Sequence, residues 1–168
     1  AQGEYLLFLN SGDELADTNI LDLVKSTAER SLGQGLIYGD AYEFDENQEL
    51  MLKKAYSYKR IWYGMFAHHQ SMFFHRDFLP NKYNTKFIYA SDYEFVAEYL
   101  ISSENVNYLP VAFCKFESGG ISQTGSTKIA DLEQWDVRKR VFKYSWIKCF
   151  AIYFVHKCVH VVKGKVPF

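Results

Sequence analysis

An apolar run, Tyr5-Leu6-Leu7-Phe8-Leu9, stops abruptly at the polar stretch Asn10-Ser11-Gly12-Asp13-Glu14. A short apolar run bounded by a turn signal reads as a buried strand that delivers an acidic turn at its carboxyl end. In open α/β sheets, ligands bind beyond the carboxyl ends of the strands. The chain is therefore expected to open inside a site-forming element.

The pattern downstream extends that expectation. Asp17-Thr18-Asn19 can cap a helix whose apolar face is Ile20, Leu21, Leu23, Val24 and Ala28. Leu36 to Phe44 reads as extended, Asp45-Glu46-Asn47 as a turn, and Glu49 to Lys54 as a returning strand. Tyr56 to Phe66 is an aromatic-rich connection. Ser71 to Phe74 is an apolar strand, and Arg76 to Leu79 a turn or short helix stopped by Pro80. Ser91 or Asp92 can cap a helix running through Phe95, Val96, Tyr99 and Leu100. Asn107 to Phe116 reads as a strand that Pro110 confines to an edge or a bulge. A long helical region is expected from Lys128 to about Val162. Alternating strands and helices in the first half argue for a layered α/β domain.

Composition narrows the function classes. The net charge is −1, so no global field draws the chain to nucleic acid. Its aromatic content of 18% suits a large core, with rings available to line a sugar or nucleotide pocket. Cys114, Cys149 and Cys158 have no CxxC spacing and are odd in number, which fits a reducing cytoplasm better than a disulfide framework. No signal peptide is evident.

Gly3-Glu4-Tyr5, the apolar strand and the acidic cluster together resemble the metal-binding segment of inverting family 2 glycosyltransferases. That family has the GT-A (nucleotide-diphospho-sugar transferase) fold. Its strand usually ends in Asp-Ala-Asp-Asp, whereas these four positions read Asn10, Ser11, Gly12 and Asp13, keeping only the last carboxylate. The variant spelling looks like a subgroup that builds bacterial surface polysaccharides. The resemblance spans roughly residues 1 to 125. It implies a partial GT-A fold, a mixed sheet flanked by helices. Residues 1–127 would be the acceptor-side part of the catalytic domain, and 128–168 a helical extension. The nucleotide-binding half would lie upstream of Ala1.

Matched residue by residue, the resemblance assigns Asp13 as ligand of Mg²⁺ or Mn²⁺. One carboxylate is chemically sufficient, because Mg²⁺ takes one or two and fills its shell with phosphates and waters. Asn10 would hydrogen-bond the ribose or a ligated water. Asp92, in Ser91-Asp92-Tyr93-Glu94-Phe95, matches the catalytic base that precedes an aromatic at a helix start; Glu94 is the alternative. His69 and Gln70, before the strand at Ser71, would contact sugar hydroxyls or diphosphate. Gly119 and Gly120 would close over the diphosphate, and Asp40 would touch the donor sugar. Bland roles stand beside these. Asn10 to Asp13 can be a polar turn, Asp92 a plain helix cap, the histidine pair structural, and Asp40 a turn cap. Zinc is disfavoured, since adjacent histidines point apart and no partner sits at zinc spacing.

The implied activity moves a sugar from a nucleotide-diphosphate sugar, expected to be UDP-linked, to a glycan or lipid-linked acceptor. The alternatives are a carbohydrate-binding or remnant domain, and a glycoside hydrolase built on Asp13 and Asp92. Ser145 to Val162 is rich in aromatics and aliphatics, but Lys148, His156, Lys157 and His160 interrupt it. It reads as an amphipathic helix, resting on the inner face of the cell membrane or packed against the domain or a homodimer partner.

Overall fold

The computed structural model describes residues 2–31, 34–44, 49–80, 82–103, 105–117 and 127–163. The strands are β1 (Tyr5–Leu7), β2 (Glu14–Leu15), β3 (Leu36–Phe44), β4 (Leu50–Lys53), β5 (Met72–His75) and β6 (Val106–Glu117). The helices are α1 (Ile20–Arg30), α2 (Ser91–Ser102), α3 (Thr127–Arg140) and α4 (Trp146–Lys163). Short 3₁₀ turns occupy Tyr58–Trp62, His69–Ser71 and Arg76–Phe78.

The sheet order is β1-β5-β3-β6-β2, with β4 also on β3. β3 is its axis. β6 runs parallel along one side of β3, while β5 and β4 pair antiparallel with its first and second halves. Period-2 alternation then sorts the side chains into two layers. Leu36, Tyr38, Met72 and Phe74 face α2 and join Tyr93, Val96, Ala97 and Tyr99, with Val137 of α3 completing the cluster. Ile37, Phe73 and Phe113 point the other way, onto Ile20 and Val24 of α1. With helices on both faces, the first six residues of β3 are all buried. This is the expected mixed sheet flanked by helices.

The β3–β6 register slips at Gly39 to Ala41, where Gly39 pairs Leu109 and Asp40 pairs Ala112. Pro110, which cannot donate to a ladder, falls in the bulge. The bulge expectation holds, but β6 lies between β3 and β2, not at an edge. Gly39 is required here, because a Cβ would sit 2.5 Å from the Val111 carbonyl oxygen and 2.6 Å from the Phe113 ring.

Four further expectations need correction. The first strand covers only Tyr5–Leu7 and is half-buried at the end of the sheet, while Phe8 and Leu9 are exposed by 36% and 41%. At α1, Asn19 makes no side-chain cap; instead Asp17 Oδ1 accepts the Asn19 N–H at 2.7 Å. At α2 neither Ser91 nor Asp92 caps. Glu133 of α3 accepts from the backbone N–H groups of Ile88 (2.9 Å), Tyr89 (2.8 Å) and Ala90 (2.9 Å). The long C-terminal helix is two helices. Lys143 takes a left-handed φ of 55°, and Ser145 caps α4 by accepting the Lys148 N–H at 3.3 Å. The turn expected at Asp45-Glu46-Asn47 lies outside the described residues.

α3 and α4 are fastened to the domain. Buried Arg138 donates to the carbonyls of Trp62 (3.1 Å) and Tyr63 (2.6 Å), and His156 of α4 meets the Tyr63 carbonyl at 2.7 Å. Cys149 and Ile152 bury the same side of α4. The opposite side is exposed.

Two substitutions test these constraints. Gly39→Ala should lower stability by about 1–3 kcal/mol, because backbone and ring must both shift. Gly64→Ala, whose Cβ would meet nothing within 4 Å, should leave the melting temperature unchanged. Equal melting curves for both variants would contradict the packing described. Glu133→Ala should cost about 1–3 kcal/mol by stranding the buried Ala90 N–H and two partly buried ones. It should also speed hydrogen exchange at residues 88–90. Unchanged exchange there would show that the cap is dispensable.

Candidate functional site

The apolar β1 run ends in a tight turn. The Asp13 N–H donates to the Asn10 carbonyl at 3.1 Å, and Gly12 carries φ +93° at the third position. That geometry is a type II turn, which needs glycine there. The turn swings the Asp13 side chain back, so its Oδ2 accepts the Asn10 N–H at 3.3 Å. Asn10 and Asp13 are thus locked together by local backbone.

The second contribution comes from the 3₁₀ turn that feeds β5. Gln70 Nε2 donates to Asp13 Oδ2 at 2.9 Å, bridging positions far apart in sequence. Gln70 Oε1 lies 3.3 Å from Nδ1 of His68, whose ring stacks on Phe116 with centroids 3.5 Å apart. Ser71 is buried and pins the turn by donating to the carbonyls of Gly39 (3.1 Å) and His68 (2.8 Å).

The third contribution is the start of α2. His69 Nδ1 lies 3.7 Å from Asp92 Oδ1, with the imidazole only 10% exposed and the carboxylate 52% exposed. Phe8 stacks on the His69 ring at 5.3 Å, and Phe95 meets it edge-on at 6.1 Å. Burial in this aromatic nest lowers the His69 pKa below its ordinary 6.5, against the opposing pull of Asp92. Burial likewise lowers His68, offset in part by Gln70. His69 turns its Nδ1 toward Asp92 and its Nε2 into the aromatic nest. That Nε2 is buried with no hydrogen-bond partner among the described residues.

Asn10, Asp13, Gln70, His69 and Asp92 therefore form one contiguous strip. It runs across the ends of β1 and the β5 lead-in to the α2 N-terminus. Asp40 is engaged elsewhere. It is buried under the β3 bulge, where its Oδ1 accepts from the Ala55 N–H and the Tyr108 hydroxyl, both at 2.8 Å. Glu94 is also buried, paired with Arg140 at 2.7 Å and Asn84 at 2.6 Å. That leaves it a structural ion pair beneath the exposed Asp92. Glu14 points to Lys115 at 2.9 Å. Gly119 and Gly120 lie outside the described residues.

No group of three or more His, Cys, Asp or Glu side chains is arranged to hold a metal among the described residues. A divalent ion here would rest on Asp13 alone among the carboxylates. Both bonds to Asp13 fall on Oδ2, so Oδ1 is the oxygen available to an ion. This suits Mg²⁺ or Mn²⁺ held jointly with a phosphate-bearing ligand.

Two residues that sequence reasoning did not single out help to build the strip. Phe8 forms one wall of the His69 nest, and Glu133 sets the α2 N-terminus that carries Asp92. Phe8 belongs to the opening apolar run, so its place was signalled. Glu133 carried no local signal, because its partners lie more than forty residues upstream.

No family model matches the chain, and no curated protein matches it by sequence. Among solved structures it is similar to the crystal structure of Staphylococcus aureus TarS 1–349, a glycosyltransferase, with a TM-score of 0.54 and 11% sequence identity. The match covers 91% of this chain and 45% of that one, so the chain spans under half of the TarS structure. At that identity the likeness is one of fold, and the fold is glycosyltransferase-like, consistent with a partial GT-A architecture.

Proposed function

We propose that this chain is the acceptor-side part of an inverting glycosyltransferase catalytic domain. Its donor would be a nucleotide-diphosphate sugar, UDP-linked, and its acceptor a glycan or lipid-linked sugar of cell-surface polysaccharide synthesis. The observation that carries the reading is the strip itself. In it Gln70 bonds Asp13, and the adjacent His69 meets Asp92, an exposed carboxylate at a helix start, which supports reading the two carboxylates as parts of one site.

Asp92 acts as the base. It accepts the proton of the acceptor hydroxyl while that oxygen forms a bond to the anomeric carbon. The bond from that carbon to the diphosphate oxygen breaks, and the nucleotide diphosphate leaves with the electron pair. Attack from the face opposite the leaving group inverts the configuration. Exposure of Asp92 lets an acceptor reach it, and the neighbouring imidazole fixes its approach. Asp13 would hold Mg²⁺ or Mn²⁺, which supplies positive charge to the departing diphosphate when bound. Asn10 and Gln70 orient Asp13, and Asn10 also lies within reach of a ribose or a ligated water. The glycine pair Gly119 and Gly120 would complete the donor side, and Asp40 is left to its structural role under the β3 bulge.

Asp92→Asn should lower turnover by ~10²–10⁴ in a UDP-release assay with a panel of UDP-sugars and Mn²⁺. Its melting temperature should hold, since the side chain is half exposed. Asp13→Asn should weaken activation by Mn²⁺ more than it lowers stability. UDP release indifferent to both substitutions would refute the assignment. Sugar binding that ignores UDP and Mn²⁺ would instead favour a carbohydrate-binding domain.

The lowered pKa values of His68 and His69 set a pH dependence. The unfolded chain takes up protons near 6.5, before the folded one does. Stability is therefore fully present above that value and is lost as pH falls through it toward the folded pKa values. Melting temperature should drop between neutral and mildly acidic pH, and His69→Asn should flatten the drop. A pH-independent melting temperature would mean the imidazoles are not held neutral.

A further inference from the structure

We propose that the outward face of α4 docks on an anionic lipid bilayer, lying in the plane of the surface. This goes beyond the glycosyl-transfer reading and stands or falls separately from it. The inward face of α4 is fixed by Cys149, Ile152 and His156, so the direction of the outward face is fixed too. On a helical wheel the outward face is Ile147, Phe150, Ala151, Phe154 and Cys158, every one exposed and none charged. Ile147 is 76% exposed and Phe154 60%. Trp146, 62% exposed and stacked on Phe150 at 5.7 Å, places an amphipathic ring at the helix start. Exposed Lys148 flanks the strip on one side, where its stem can lie along an apolar surface, while Lys157 on the other side is paired with Asp131 of α3.

Charge identifies the occupant. Residues 127–168 hold nine Lys and Arg against three Asp and Glu, a net of +6, while residues 1–126 hold ten against seventeen, a net of −7. A near-neutral chain is thus polarised along its sequence: Arg138 is buried and Arg140 and Lys157 are ion-paired, while Lys128, Lys139, Lys143 and Lys148 are exposed. A second copy docked two-fold on this face would bring +6 against +6. An anionic bilayer offers the complementary charge and an apolar layer at once. Among the described residues no helix is long and apolar enough to cross a membrane, so a surface position is the geometry that remains for α4.

The test is co-sedimentation of the full chain with phosphatidylcholine vesicles, with and without phosphatidylglycerol. Binding should require phosphatidylglycerol and weaken with salt. The double variant Ile147→Ser, Phe154→Ser should lose at least about tenfold in vesicle affinity. Leu50→Ser, on the equally exposed β4, should bind like the parent. Cys158 supplies a readout that needs no substitution, because Cys114 and Cys149 are buried and it alone is exposed. An environment-sensitive fluorophore there should shift to the blue on adding anionic vesicles. No shift and no sedimentation would overturn the proposal. So would vesicle binding indifferent to the double variant, or a dimer that the double variant dissolves in a chain that ignores vesicles.

Discussion

Three backbone N–H groups at residues 88–90 converge on the single carboxylate of Glu133, and that convergence decides where α2 begins. Ala90 is the N-cap residue of α2 and Ile88 and Tyr89 precede it, so the carboxylate takes one amide of the helix start and two of the segment leading into it. Here the acceptor is a buried side chain from α3. The negative charge also opposes the positive end of the helix dipole. Because Asp92 is the second residue of α2, its position is inherited from this cap. Helix α3 is thus a structural partner of the candidate site, and its Val137 is fully buried among α2 and sheet residues.

Around that frame the site is held mostly by aromatic packing, with few charges. Phe74 touches Phe8, Phe95 and Tyr99 within 5.0–5.9 Å, and His69 sits on the same cluster. Burying an imidazole among rings favours its neutral form, so His69 can face Asp92 without neutralising it. Tyr99 adds a polar rivet. Its hydroxyl accepts the His75 N–H at 2.8 Å and donates to the His75 carbonyl at 3.3 Å, tying α2 to β5. Burial pushes the Tyr99 phenol well up, so that rivet stays protonated. The polar strip therefore rests on a stiff apolar floor.

Much of the frame could be read from pattern because its causes are local. The alternation of Leu36, Ile37 and Tyr38 declares a strand buried on both faces, and the structure puts α2 under one set and α1 under the other. Pro110 announced the bulge. Gly12 announced the turn that folds Asp13 back on Asn10. What could not be read has non-local causes. The Gln70–Asp13 bond depends on β1 and β5 being neighbours, which no spacing encodes. The α3–α4 break carries a left-handed lysine where glycine would have been the signal. Ser91 and Asp92 look like caps in sequence, yet neither caps α2: Glu133 takes the Ala90 N–H, and Asp92 stays half exposed beside His69. Asp40 of the run Tyr38-Gly39-Asp40, expected at the donor sugar or as a turn cap, fastens the β3 bulge to Tyr108 and Ala55.

That last case shows how one motif can divide its labour. Gly39 is demanded by the close approach of Val111 and Phe113, and Asp40 beside it accepts from the Ala55 N–H and the Tyr108 hydroxyl. The same logic governs the C-terminal pair of helices. Arg138 and His156 both reach the carbonyl of Tyr63, in the connection that leads through buried Phe66 to His68 and Gln70. A helix anchored only by apolar contact could roll about its axis. One that must deliver His156 to a backbone carbonyl cannot, because a turn of a few tens of degrees breaks the bond. The polar anchor therefore does for α4 what Glu133 does for α2. It converts a generic amphipathic pattern into one orientation, and in that orientation the uncharged face of α4 points away from the sheet and the strip of polar residues it supports.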